Sequence, residues 1–233
     1  MSGRSRTQAA LCGGDDVVFA PLLWAALPAF VHATAEAKFW LDAAATHRML
    51  MDASQVCASE AVLVPIWPGG PGRDQVGHPD DVVALAAVGA AVDIIGRIAA
   101  VGDIGSVAML PMLSELAGLF PNAPVEDLED CLTDLTRAAL EGGADAVVVR
   151  GASEQVGDTL DAVSGLAAFY GSVALGVAAD HGWAAADACP VAVLSRDSGW
   201  PSASRGIVLT AGDLTEWWTP DDVRAVVRSR GAA

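Results

Sequence analysis

The sequence predicts an α/β fold wound as a parallel barrel, and three observations lead there. The first is the stretch Pro124 to Gly151, PVEDLEDCLTDLTRAALEGGADAVVVRG. Leu128, Leu132, Leu135, Ala139 and Leu140 recur there at helical spacing, and Glu126, Asp127 and Glu129 crowd the first turn, where the helix dipole favours negative charge. Gly142 and Gly143 end the helix, because glycine takes a left-handed cap without steric cost. The second observation is that Ala146 to Val149 is apolar without alternation, as expected of a strand covered on both faces in a parallel sheet. The third is recurrence: helices and short apolar runs follow one another along the chain, and each run gives way to a polar or turn-forming cluster.

Taken in order, Ser5 to Leu11 reads as a short helix and Cys12 to Asp16 as a turn into a first strand, Val17 to Leu23. Pro28 to Lys38 is irregular or helical, and Asp42 to Ala58 puts Ala45, Met49, Ala53 and Val56 on one helical face. A second strand, Glu60 to Trp67, runs into Pro68 to Asp74, too rich in Gly and Pro for regular structure. Pro79 to Ala100 is expected to be one long helix, Gly102 to Met109 the third strand and Pro111 to Phe120 another helix. After the central unit come a helix from Asp158 to Tyr170 and strands at Ser172 to Val177, Cys189 to Asp197 and Arg205 to Thr210. Thr219-Pro220-Asp221-Asp222 caps a closing helix with Val223, Val226 and Val227 on its buried face. Seven strands can be counted where a (β/α)8 barrel of the TIM-barrel type has eight, so a compacted or incomplete barrel is expected, as one domain over residues 1–233.

Composition narrows the partners. With 233 residues, 53% of them hydrophobic, the chain can bury a sizeable core, and its net charge of −16 argues against nucleic acid and anionic membranes. No apolar run approaches a bilayer span and residues 1–16 lack the apolar core of a signal peptide, so a cytoplasmic location is expected. Cys12, Cys57, Cys131 and Cys189 show no ligand spacing and read as reduced, mostly buried thiols.

Four stretches carry a resemblance to a known family: RTQAALCGGDDVVFAPLLW, HRMLMDASQVCASEAVLVPIW, LTRAALEGGADAVVV and RGIVLTAGDLTEWWTPDDVRAVV. Their order resembles the uroporphyrinogen decarboxylase superfamily, a (β/α)8-barrel group that includes cobamide-dependent methyltransferases. The resemblance implies that fold, and either decarboxylation or methyl transfer. The decarboxylases carry an arginine-bearing segment after the first strand, an aspartate after the second and a histidine after the last; here Trp24 and Ala25, Trp67 and Asp213 stand there, which excludes uroporphyrinogen as the substrate. The methyltransferases' zinc site is similar to a His-x-Cys pair with a distant Cys; here His181 is followed by Gly182 and Trp183, and Cys189 precedes its strand. Neither a metal nor another cofactor is expected.

In a parallel barrel, functional side chains follow the C-terminal ends of strands, a filter that selects Trp24, Trp67, Arg150, Asp180, His181, Arg196, Asp197 and Asp213. Asp180 and His181 suit proton transfer, since imidazole titrates near neutrality and a carboxylate can orient it; a helix cap and a solvated histidine are the bland alternative. Arg150 and Arg196 suit a substrate carboxylate, or else a rim ion pair with Asp197 or Asp180. Asp213 is an acid or base, or a turn residue. Trp183, Trp200, Trp217 and Trp218 would wall an apolar pocket or bury an interface with another copy or a partner subunit. His47 reads as structural, and no phosphate-binding glycine motif is present. The leading expectation is a metal-independent acid/base decarboxylase acting on a small, largely apolar organic acid. Corrinoid-dependent methyl transfer and a non-catalytic barrel subunit or binding protein are the rivals.

Overall fold

The computed structural model describes residues 2–23, 41–66, 76–151, 153–178, 189, 191–194, 200–201, 205–210 and 219–229. In chain order the elements are α1 (Gly3–Leu11), β1 (Val17–Ala20), α2 (Ala43–Cys57), β2 (Ala61–Pro65), a 3-10 helix (Pro79–Ala84), α3 (Ala86–Val101), β3 (Gly105–Leu110) and α4 (Leu113–Leu119). There follow α5 (Val125–Glu141), β4 (Ala146–Gly151), α6 (Ser153–Phe169), β5 (Val173–Ala178), β6 (Val191–Leu194), β7 (Gly206–Thr210) and α7 (Pro220–Ser229).

All strand pairs are parallel, in two ladders ordered β2-β3-β4-β5 and β1-β7-β6. The Glu60 N–H donates to the Phe19 carbonyl at 3.2 Å and the Leu63 N–H to that of Pro21 at 3.3 Å, which sets β2 beside β1. One row of strands therefore runs β6-β7-β1-β2-β3-β4-β5, and its two ends lie next to each other.

Strand parity sorts the apolar side chains into two cores. Val18, Ala20, Ala61, Leu63, Val107, Ala146, Val148, Leu175, Ile207 and Leu209 share an inner cluster. Phe19, Val62, Val64, Ala108, Val147, Val149 and Val208, their neighbours in sequence, share an outer one with helical Leu50, Ile94, Leu132 and Val163. Successive strand residues face opposite sides, so both sides are apolar and the runs show no alternation. This is the expected barrel architecture, with seven strands among the described residues.

The inner core is sealed from below by α1. Ala10 and Leu11 enter it, and three polar residues of α1 reach groups that precede strands. Arg4 Nε donates to Asp145 Oδ1 at 3.0 Å, and its Nη1 to the Ala99 carbonyl at 2.6 Å. Gln8 Nε2 donates to the same Asp145 oxygen at 3.0 Å, and the Ser106 N–H to its Oδ2 at 3.0 Å. Arg6 pairs with Glu60 at 2.9 Å and Asp16 at 3.6 Å. The helix lies so close that a Cβ on Gly105, at the start of β3, would sit 2.6 Å from Thr7 Oγ1.

Several boundaries differ from expectation for local reasons. The expected helix from Pro79 to Ala100 is two elements: Leu85 is extended (φ −59°, ψ 134°) and buried in the outer core, so the 3-10 helix ends there and α3 starts afresh. Of the expected glycine cap, only Gly143 has positive φ, at 100°, whereas Gly142 stays right-handed at −66°. The first strand ends at Ala20, because Pro21 has no N–H to continue the ladder. The helix expected from Asp158 begins at Ser153. Trp200, expected at the mouth, packs edge-on against Phe19, with ring centroids 5.5 Å apart, and so belongs to the outer layer. The Thr219–Asp222 capping pair holds, and Asp42 caps α2, its side chain accepting from the Ala45 N–H at 2.9 Å. The segment Pro28 to Lys38 lies outside the described residues.

Because the Asp145 carboxylate is only 2% exposed, removing a donor from it is expensive. Arg4→Ala is expected to lower stability by about 2 kcal/mol. Arg97→Ala, which breaks an exposed pair with Asp93, should cost less than about 0.5 kcal/mol. Urea denaturation of the two variants checks the contrast.

Candidate functional site at the barrel mouth

With every strand parallel, the C-terminal ends of all seven lie on one face, opposite α1. The inner faces converge there as the mouth. Arg150 follows Ala146 and Val148 on the inner-facing parity of β4, two residues above the last buried layer, and is itself half-buried. Its register partner on β5 is Val177, 1% exposed and also in the inner core. Met109 of β3 packs on that core from a partly buried position. The Arg150 side chain therefore starts from an inward-facing position beside apolar neighbours.

Two contacts fix strand ends on this face of the barrel. Thr210, 2% exposed, accepts the Leu22 N–H through Oγ1 at 2.9 Å and ties β7 to the chain just beyond β1. A Cβ on Gly151 would meet Met112 Cε at 2.9 Å, so glycine lets the end of β4 lie against the start of α4. Neither Thr210 nor Gly151 was selected by the sequence filter, since a hydroxyl closing a seam and a glycine at a close approach carry no charge signature.

Arg150 is the one sequence-selected site residue that the structure places. Trp24, Trp67, Asp180, His181, Trp183, Arg196, Asp197 and Asp213, like Trp217 and Trp218, lie outside the described residues. In the sequence, Asp180 and His181 follow β5, Arg196 and Asp197 follow β6 and Asp213 follows β7, all strands that end on the mouth face.

His47 and the four cysteines lie on helices or at the base of the barrel. His47 lies on α2, its Nε2 buried and without a hydrogen-bond partner among the described residues. Burial pushes its pKa below 6.5; the charge of Arg97 lowers it further, and Asp93 partly opposes both. Burial raises Cys57 to about 12. Cys131 is also raised to about 12, by burial and then by Asp134 and Asp80. Cys189 is raised to about 11 by burial, against a hydrogen bond from the Ile207 backbone. Only Cys12 is exposed, and all four are free thiols. Cys189 lies in the inner core beside Ala10 and Leu11, the end opposite the mouth, as its position before β6 implies. Among the described residues no group of three His, Cys, Asp or Glu side chains is arranged to hold a metal ion, and no helix is long and apolar enough to cross a membrane.

No protein-family model matches this sequence, and neither does any curated protein. Among solved structures the chain is similar to a methyltransferase from Methanosarcina mazei, with a TM-score of 0.67 at 13% sequence identity. The match covers 100% of this chain and 99% of that one. At that identity the likeness is one of fold, and it agrees with the barrel read from the two cores.

Two measurements test these assignments. In the folded protein, iodoacetamide at mildly alkaline pH should modify Cys12 alone, the other three thiols reacting only after unfolding, as intact-mass spectrometry would record. For His47 the fold disfavours the proton, so above pH 6.5 folded and unfolded chains both carry it neutral, whereas below 6.5 the unfolded chain binds the proton more readily and stability falls. His47→Gln should therefore lose less stability than the parent between pH 6.5 and acid, measured by urea midpoints across pH.

Proposed function

We propose that this chain is a methyl-transferring enzyme whose reaction takes place at the barrel mouth. The observation that carries this reading is the fold likeness to a methyltransferase along the full length of both chains. The decarboxylase reading, first in order from the sequence, has no such support and takes second place.

In this scheme Arg150 holds an anionic group of the methyl acceptor, which fixes the acceptor's depth in the mouth. His181, oriented by Asp180, accepts the proton from the acceptor's thiol or hydroxyl, and the electron pair left on that atom attacks the methyl carbon of an electrophilic donor. The bond from methyl to donor breaks, and its electron pair leaves with the donor. Arg196 and Asp197 complete the polar rim, Asp213 passes the proton released from His181 to solvent, and Trp24, Trp67 and Trp183 exclude water from the transfer.

A zinc ion, which the family resemblance implies for thiol activation, does not fit the described residues. Cys57 and Cys131 lie in the outer core and Cys189 at the base of the inner one, and among the described residues no three His, Cys, Asp or Glu side chains are grouped to hold the ion. Proton removal is therefore assigned to the His181 pair.

The experiment offers methylcobalamin as donor and a thiol bearing a carboxylate as acceptor, with mass spectrometry of the thioether product. Arg150→Ala should lower kcat/KM by about tenfold to a hundredfold, mostly through KM, with Arg150→Lys intermediate. His181→Ala should lower kcat by about a hundredfold or more. Carbon dioxide release from an organic acid without methyl transfer would return the decarboxylase reading to first place.

A further inference from the structure

Away from Arg150, a cavity of about 320 Å³ lies where the segment entering the 3-10 helix meets the connection between α4 and α5. Its walls are largely apolar: Val76, Pro79, Leu119, Phe120, Pro121 and Pro124. These segments follow β2 and β3, so the groove opens on the mouth side of the barrel, at its rim. Val125, next to Pro124, is 61% exposed and extends the apolar surface onto α5.

Carboxylates stand on the two helices that flank the segments lining this groove. Asp80 and Asp81 stand on the 3-10 helix, and Glu126, Asp127, Glu129 and Asp130 on the first two turns of α5; all but Asp127 are exposed. From Val76 to Thr136 the sequence holds no lysine and one arginine, Arg97, which pairs with Asp93 at 3.1 Å. His78 lies between Asp80 (3.3 Å) and Asp127 (3.8 Å). The field reaches inward as well, since Asp80 adds to the burial that raises the Cys131 thiol. The helix dipole accounts for Glu126 and Asp127 in the first turn of α5, but Glu129, expected in that turn from the sequence, lies beyond it with Asp130.

We propose that this groove is a docking site for a basic segment of a partner protein, which places one apolar side chain between Phe120 and Pro124 and sets flanking lysines or arginines against Asp80, Glu126, Glu129 and Asp130. Charge complementarity selects the occupant. A second copy of a chain with net charge −16 would bring the same excess of carboxylates and be repelled, as would nucleic acid or an anionic lipid surface. A small inorganic cation would make no use of the apolar walls. A cationic segment with an apolar anchor relieves the repulsion among the carboxylates and buries the exposed groove in one step.

The test uses the full chain and a fluorescein-labelled peptide with a central leucine-tryptophan anchor flanked by lysines, its binding followed by fluorescence anisotropy. Paired substitution Glu126→Lys with Asp130→Lys, and separately Val125→Asp, should each weaken binding at least tenfold. Asp158→Lys with Asp161→Lys, an equal charge change on exposed residues of α6, should alter it less than twofold. Raising the salt should weaken binding to the parent, and the same anchor flanked by glutamates should not bind. Equal losses at the α5 and α6 sites would mean unspecific attraction and would overturn the proposal, as would no binding at all. Concentration-dependent dimers abolished by Val125→Asp would assign the groove to a second copy and overturn it too.

Discussion

The architecture depends on one constraint, the two-residue period of a strand whose two faces are both dry. In β2, Ala61 and Leu63 face inward while Val62 and Val64 face outward, and the same division holds from β1 to β7. Once both sides are apolar, each strand needs helices on one side and its fellow strands on the other, and a parallel ring is the arrangement that supplies both. The helices satisfy the outer demand through residues such as Ile94, Leu132 and Val163. The inner demand is met by the strands themselves, but a ring has an open base, and α1 fills it.

That base shows how polar and apolar terms cooperate. Ala10 and Leu11 plug the lumen, while Arg4, Arg6 and Gln8 satisfy carboxylates that stand just before β1, β2 and β4. Asp145 is buried and engaged on both oxygens, so its charge is compensated, and its removal from water is offset by three donors. At the opposite end Arg150 follows Val148 on the inner-facing parity of β4, beside Val177.

Local signals in the sequence were legible where the physics is local. Helix periodicity and an acidic first turn gave α5, Thr219 gave the cap of α7, and unbroken apolar runs gave the strands and their common direction. The break at Leu85 was hidden because an apolar residue in extended backbone has the composition of a helix interior. The seat of Trp200 on Phe19 was hidden because proximity to a strand end does not say which layer an aromatic ring enters. The role of α1 could not be read at all, since Arg4 and Asp145 are 141 residues apart in the chain and neither carries a motif. For the candidate site, strand-end position picked out Arg150, whose inward parity the structure supplies, whereas the seam hydroxyl of Thr210 and the close approach at Gly151 depend on neighbours distant in sequence.

The pairing of β1 with β7 has a consequence for how the chain reaches its native state. Val17 is in register with Gly206, so the first strand made during synthesis waits for nearly the whole chain before one of its edges is satisfied. Contacts so distant in sequence carry a large loop-closure entropy and slow the search. The unit from β2 to β5 can assemble from sequential neighbours alone, which leaves ring closure by β1, β7 and α1 as the late event of folding.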